Sequence, residues 1–230
     1  MKTRLLMAGL VVFGGWQLGY SSYLLAKAEL AQWLLEQAWQ EMRREQAQSI
    51  VSNSHQAQPL RMQQGIAPWP WADTWPLAKL SWPALNQELI VLAGASGRNL
   101  AFGPAHLSAS VAPGATGVSV IGGHRDTHFA FLSQAKLGDR FVIERADGRQ
   151  YRFQVKEILI TDVRESHIGL DSDVAKIALV ACYPFADWQS GEAGGASSPL
   201  RYLVLAEQVG SQKLEQVPPT TAKMLATIGL

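Results

Sequence analysis

The sequence is poor in cysteine and in charge. A single cysteine, Cys182, occurs in 230 residues. That excludes an intrachain disulfide and a multi-thiolate metal site. Charged residues are 17% of the chain and the formal net charge is +1. No basic field therefore points to nucleic acid, and no acidic field points to a cationic partner. There is no internal repeat and no acidic cluster suited to calcium. Hydrophobic residues make up 47%, enough for a core, and the length allows one medium domain with extensions.

Charge is wholly absent from residues 5–26. This run follows a basic lead over residues 1–4, with Lys2 and Arg4. It is rich in Leu, Val, Gly and aromatics and has the length of a bilayer-spanning helix. Trp16, Tyr20 and Tyr23 sit toward its far end, where interfacial aromatics belong. The expectation is an uncleaved, single-pass transmembrane signal-anchor, with Ala26-Lys-Ala28 marking the competing cleaved signal peptide. The basic lead would stay cytoplasmic and the rest of the chain outside.

Residues 27–50 lack Gly and Pro and predict an amphipathic helical stalk, with Leu30, Trp33, Leu34 and Ala38 on one face. Residues 51–66 are polar and read as a linker. Residues 67–208 form the globular domain, and 209–230 a polar tail broken by Pro218-Pro219. The domain opens with four of the eight tryptophans, at 69, 71, 75 and 82, among prolines that favour an extended path. Their expected role is anchoring in surface grooves; stacking on carbohydrate is the alternative.

Beyond Leu85 the pattern is all-β. Strands are expected at 88–92, 118–121, 140–145, 150–160, 176–181 and 200–207, with a short helix within 127–134. Asp147-Gly148 is a hairpin turn between the third and fourth of these strands. Many short strands with Gly/Pro turns predict a barrel or sandwich.

Cys182 closes the apolar strand, and Tyr183-Pro184 stops that strand at once. A lone cysteine is most often an inert core residue. At a strand rim beside a Gly-rich loop it is instead placed where rigid sheets present reactive groups. A thiol attacks an acyl carbon as thiolate, so it needs a base or a cation nearby. Among five histidines, His124 follows Gly122-Gly123 at the end of a strand, and is the candidate. His55 lies in the linker, and His106 and His167 lie in loops without supporting pattern. His124 and His128 have the spacing of a metal pair, but no glutamate lies between them and no third ligand is evident, so no metal is expected. The triplet His124-Arg-Asp126 echoes a kinase loop without any of its companion motifs. An oxyanion needs donors or positive charge. Arg201 enters an apolar strand and is the candidate; Arg125 is the competitor.

Taken in order, these segments resemble the sortase family of cysteine transpeptidases across residues 69–207. Gly123-His-Arg-Asp-Thr-His-Phe129 with Leu137-Gly-Asp139 is similar to the segment around the sortase histidine. Ala178-Leu-Val-Ala-Cys182 stands where the family has Thr-Leu-x-Thr-Cys, and Leu200-Arg-Tyr202 is similar to the strand bearing its arginine. Residues 70–76 and 101–107 look most like the class found in Gram-negative bacteria. Both signature threonines are alanine here, Ala178 and Ala181. The resemblance implies an eight-stranded sortase β-barrel with short helices, behind the membrane helix and stalk. It further implies Cys182 as nucleophile, His124 as acid and base, and Arg201 as the group holding the substrate carbonyl. The substrate would be a secreted protein with a C-terminal Leu-Pro-x-Thr-Gly-like sorting signal, and an amine would be the acceptor. No cofactor is implied. The location implied is the inner membrane, with the catalytic domain facing the periplasm. Two alternatives come from other classes. An L,D-transpeptidase would carry a Ser-His-Gly-Cys type motif, which this chain lacks. A tethered barrel without turnover would fit the two alanines.

Overall fold

The computed structural model describes residues 2–52, 65–185 and 198–210. Most of the expected linker, the loop at 186–197 and the tail from 211 lie outside the described residues.

One helix, α1 (Lys2–Ser52), runs unbroken through what the sequence divides into an anchor and a stalk. Eight strands follow: β1 (Pro76–Trp82), β2 (Gln87–Ala93), β3 (Ala105–His106), β4 (Gly117–Gly122), β5 (Arg140–Arg145), β6 (Gln150–Asp162), β7 (Ala175–Cys182) and β8 (Leu200–Gln208). They close into a barrel in the order β1-β2-β3-β4-β7-β8-β6-β5. A short helix, α2 (Gly97–Leu100), is capped by Ser96, whose side chain accepts from the Asn99 amide. One-turn 3-10 segments lie at Pro83–Leu85 and Ala130–Gln134. The expected hairpin between β5 and β6 forms, with Gly148 at φ +80° and the Arg149 amide donating to Asp147 Oδ1.

Alternation along each strand sorts side chains into two sets. Leu80, Val91, Ile121, Phe141, Phe153, Ile177, Leu179 and Val204 fill the barrel interior. Each such side chain contributes roughly 1.5–3 kcal/mol when fully buried. Val118, Val120, Ala178 and Leu203 form a second cluster on the outer face of β4, β7 and β8, against Ile168 and Leu170 of the β6–β7 connection.

Two expectations at the N-terminus are corrected. Among the described residues no helix is long and apolar enough to cross a membrane. Residues 5–26 are helical, but Gly14, Gly15, Gln17, Gly19, Ser21 and Ser22 dilute the run's apolar character. The docking face of α1 also differs from the predicted stripe. Ala31, Leu35, Ala38 and Trp39 are buried, whereas Leu30 and Trp33 are more than half exposed. Leu35 packs with Leu92 and Ala105 on the outside of the barrel. Gln32 Nε2 donates to the Phe102 carbonyl at 2.8 Å, and Arg43 pairs with Glu144 at 2.7 Å. The tryptophans divide: Trp82 is core, Trp69 packs edge-on against Phe102 with ring centroids 4.8 Å apart, and Trp71 is 79% exposed.

Candidate active site

The site is set by strand register. β7 and β8 are antiparallel, and Cys182 is paired directly with Arg201. Opposed residues in a ladder share a face, with Cβ atoms about 4.5–5.5 Å apart. The face is the outer one, because Cys182 alternates in phase with Ala178 and Val180 and Arg201 with Leu203 and Leu205. Cys182 is half-buried and its thiol is free.

β4 runs parallel to β7, with Gly122 opposite Val180, and the Gly123 amide extends the ladder by donating to the Val180 carbonyl at 3.0 Å. His124 and Cys182 each lie two residues beyond that Gly122–Val180 pair, at the same end of the barrel. The chain turns sharply after Gly123. Phe129 is fully buried in the interior, and its amide donates to the His124 carbonyl at 2.9 Å. A Cβ on Gly123 would come within 2.6 Å of the Phe129 ring. Glycine is therefore required for this turn, which leaves His124 exposed at the rim. The structure thus brings Cys182, His124 and Arg201 to one end of the barrel. Arg125 is half-buried in the same turn, off the β7–β8 ladder.

His128 shares the turn. Burial holds its pKa below the ordinary histidine value; the neighbouring charge of His124 pushes the same way and that of Asp126 opposes it. Among the described residues no three His, Cys, Asp or Glu side chains gather as metal ligands.

Arg201 Nη1 donates to the carbonyls of Ser198 and Leu200, at 2.8 and 2.9 Å. The guanidinium therefore rests on the entry of its own strand. The Tyr183 amide closes the ladder onto the Leu200 carbonyl, and Tyr183, Phe185 and Tyr202 form an aromatic cluster just beyond Cys182. Burial raises the Tyr202 pKa, helped by Tyr183.

The β6–β7 connection forms one wall. Asp162 begins it by accepting from the Arg164 amide, Nε and Nη2. Those bonds depress the Asp162 pKa to about 2. The chain then lays Ile168 and Leu170 over the outer apolar cluster, and the Leu170 carbonyl accepts from the Val118 amide at 2.9 Å. The result is a packed apolar wall on the face that carries the Cys182–Arg201 pair, with Ile168, Leu170 and Val180 only partly buried.

The two alanines of the resembling signature sit on opposite faces. Ala181 points inward and is 1% exposed in the main core, and Ala178 points outward beneath the second cluster. Each fits an apolar setting in which a hydroxyl would need a partner.

Two features escaped the sequence reading. His106 is not a loop histidine but the end of β3, 2% exposed, with Nε2 2.9 Å from the Val111 carbonyl and 3.1 Å from Ser110 Oγ. Thr161, in β6, is paired with Arg201 on the side away from Cys182. Only the register past the β6 bulge reveals that neighbour.

The sequence matches the sortase domain over residues 80–209. No curated protein sequence matches the chain. Among solved structures, a sortase D5 transpeptidase of Clostridium perfringens is similar at 15% identity, with TM-score 0.57, covering 79% of this chain and 99% of that one. Sortase A from Corynebacterium diphtheriae is similar at 21% identity, with TM-score 0.54, covering 84% of this chain and 96% of that one. The match to sortase C1 of GBS pilus island 1 spans 64% of that protein's length and 59% of this chain, at 23% identity and TM-score 0.49. For the first two, at 15% and 21% identity, the likeness is one of fold.

Proposed function

This chain belongs to the sortase family, and on that footing we propose that it is a cysteine transpeptidase acting on a C-terminal sorting signal related to Leu-Pro-x-Thr-Gly. The observation that carries the proposal is the pairing of Cys182 with Arg201 beside the strand end that bears His124. The Cys182 thiolate attacks the carbonyl preceding the scissile bond. Arg201 leaves its own strand's carbonyls and donates to the carbonyl oxygen as negative charge develops there. His124 protonates the departing amine, and the acyl group remains on sulfur as a thioester. An incoming amine, deprotonated by His124, attacks the thioester and regenerates the thiolate. Water completes the same cycle as hydrolysis.

Ile168, Leu170 and Val180 stay only partly buried on this face, and that apolar surface supports recognition of an apolar signal. The Gram-negative class is part of the proposal. It rests on the resemblance of residues 70–76 and 101–107; Phe102 of the second segment packs against Trp69, the residue just before the first. So is a location at the periplasmic face of the inner membrane. There the exposed apolar side chains of the N-terminal half of α1, such as Phe13, Trp16 and Tyr23, would meet the membrane surface. Carbonate extraction of the full-length protein from inner-membrane vesicles tests that attachment; recovery in the supernatant without carbonate would refute it.

Intact mass spectrometry tests the chemistry. Wild-type protein mixed with a Leu-Pro-x-Thr-Gly peptide should carry an acyl adduct that maps to Cys182 and is released by hydroxylamine. Cys182→Ala should carry none while keeping its melting temperature. Peptide cleavage by Cys182→Ala at the wild-type rate would refute the proposal.

A further inference from the structure

A third side chain stands in line with Cys182 and Arg201. Arg201 is paired with Cys182 on one flank and with Thr161 on the other. The three therefore cross β7, β8 and β6 as one row of the outer face. Thr161 Oγ1 is buried and has no hydrogen-bond partner among the described residues. Buried hydroxyls are seldom left in that state. A guanidinium offers five N–H donors. Both hydrogens of Arg201 Nη1 are taken by the Ser198 and Leu200 carbonyls. No acceptor for Nε or Nη2 occurs among the described residues. Among the described residues, a buried acceptor without a donor thus adjoins a guanidinium whose Nε and Nη2 have no acceptor.

The geometry points to Thr161 as a positioning residue for Arg201, its Oγ1 accepting from Nε or Nη2 when the guanidinium leaves the Ser198 and Leu200 carbonyls and turns toward Cys182. The chemistry favours this. Once Nη1 gives up the backbone carbonyls to reach a substrate oxygen, no hydrogen bond among the described residues on the Cys182 side fixes the plane of the fork. A hydroxyl on the far flank does so. β-Branching limits Thr161 to few rotamers, so its oxygen is held in place before the substrate arrives. The developing oxyanion then meets a donor that is already aimed, which is where such donors gain their effect. The hydrogen bond belongs to the reacting state more than to the resting one, so it should appear in turnover and not in substrate affinity.

This inference rests on the reading of Cys182 as the acylated nucleophile. The test uses the full chain and a Leu-Pro-x-Thr-Gly peptide, with kcat, KM, melting temperature and the Cys182 adduct measured together. Thr161→Val keeps the shape and removes the acceptor. It should lower kcat about tenfold, the usual scale for one hydrogen bond to a charged group. KM should stay within about twofold. Thr161→Ser should restore most of the rate, and adding Thr161→Val to Arg201→Ala should cost nothing further. If valine lowers the melting temperature, Thr161→Ala against Thr161→Ser makes the same comparison. Wild-type kcat in Thr161→Val, equal loss in Ser and Val, or an undiminished effect in the Arg201→Ala background would each overturn the assignment. Wild-type protein that forms no adduct at Cys182 refutes the transpeptidase reading itself. A normal adduct with an indifferent Thr161→Val refutes only the role of Thr161.

Discussion

Cys182 and Arg201 face each other directly across the β7–β8 ladder, on the outer face of the barrel. This pairing separates the two candidate arginines by structure. Arg125 lies in the turn after Gly123, off that ladder. Removal of an oxyanion donor costs about 10²–10³ in turnover. Arg201→Ala should therefore lower kcat by about that factor, and Arg201→Lys should recover only part, because an ammonium lacks the planar fork. Arg125→Ala should cost far less. Steady-state kinetics on folded variants decide; a larger loss in Arg125→Ala would reverse the assignment.

Gly123 and Phe129 fix the position of His124 in the same way. A methyl on Gly123 would meet a fully buried ring at 2.6 Å. Gly123→Ala should destabilise the protein by about 1–3 kcal/mol, the cost of an overpacked core. It should also lower kcat by displacing His124. Urea denaturation and kinetics on one preparation measure both. Unchanged stability would show that the turn yields more easily than its packing implies.

Ala181 decides whether restoring the family's threonine improves this barrel. Its side chain points into an apolar interior. A threonine there adds volume and an unpartnered hydroxyl, so Ala181→Thr should cost about 1–3 kcal/mol and bring no gain in kcat. A faster and equally stable variant would contradict this.

The sequence made the later strands legible because their alternation is clean. The predicted 118–121, 140–145, 176–181 and 200–207 each fall within an observed strand. β1 was missed because Pro76 opens it and Trp82-Pro83 closes it, so the segment read as an extended tryptophan-proline stretch. β3 has two residues, too few for any period. The docking face of α1 was legible only in part, at Ala38, because apolar residues occur around the whole helix. Only contact with Leu92 and Ala105 selects the Leu35 side. The meeting of Cys182, His124 and Arg201 at one end of the barrel was legible from strand ends and motif order. Thr161 was not. Its place beside Arg201 depends on the register shift between Val155 and Glu157, which no local pattern encodes.

His106 makes the fold sensitive to mild acid. Its Nε2 lies 2.9 Å from the Val111 carbonyl, so that nitrogen carries the proton. Ser110 Oγ donates to the Leu107 carbonyl and accepts from the Val120 amide, tying the 107–111 loop to β4, the strand that leads to His124. Burial lowers the His106 pKa below 6.5, and the hydrogen bond to Val111 only partly opposes it. The folded state thus binds the proton less readily than the unfolded chain. Above pH 6.5 both states are neutral and the network contributes fully. As pH falls below 6.5 the unfolded chain is protonated first, and stability is lost until the depressed folded pKa is passed. The melting temperature should be flat from pH 8 to 7 and fall from pH 6.5 downward. His106→Gln replaces the donor with an amide that does not titrate. It should melt lower at pH 8 yet fall less steeply, with His128 supplying the remaining slope in the same direction. A slope in His106→Gln equal to that of the wild type would remove His106 as the source.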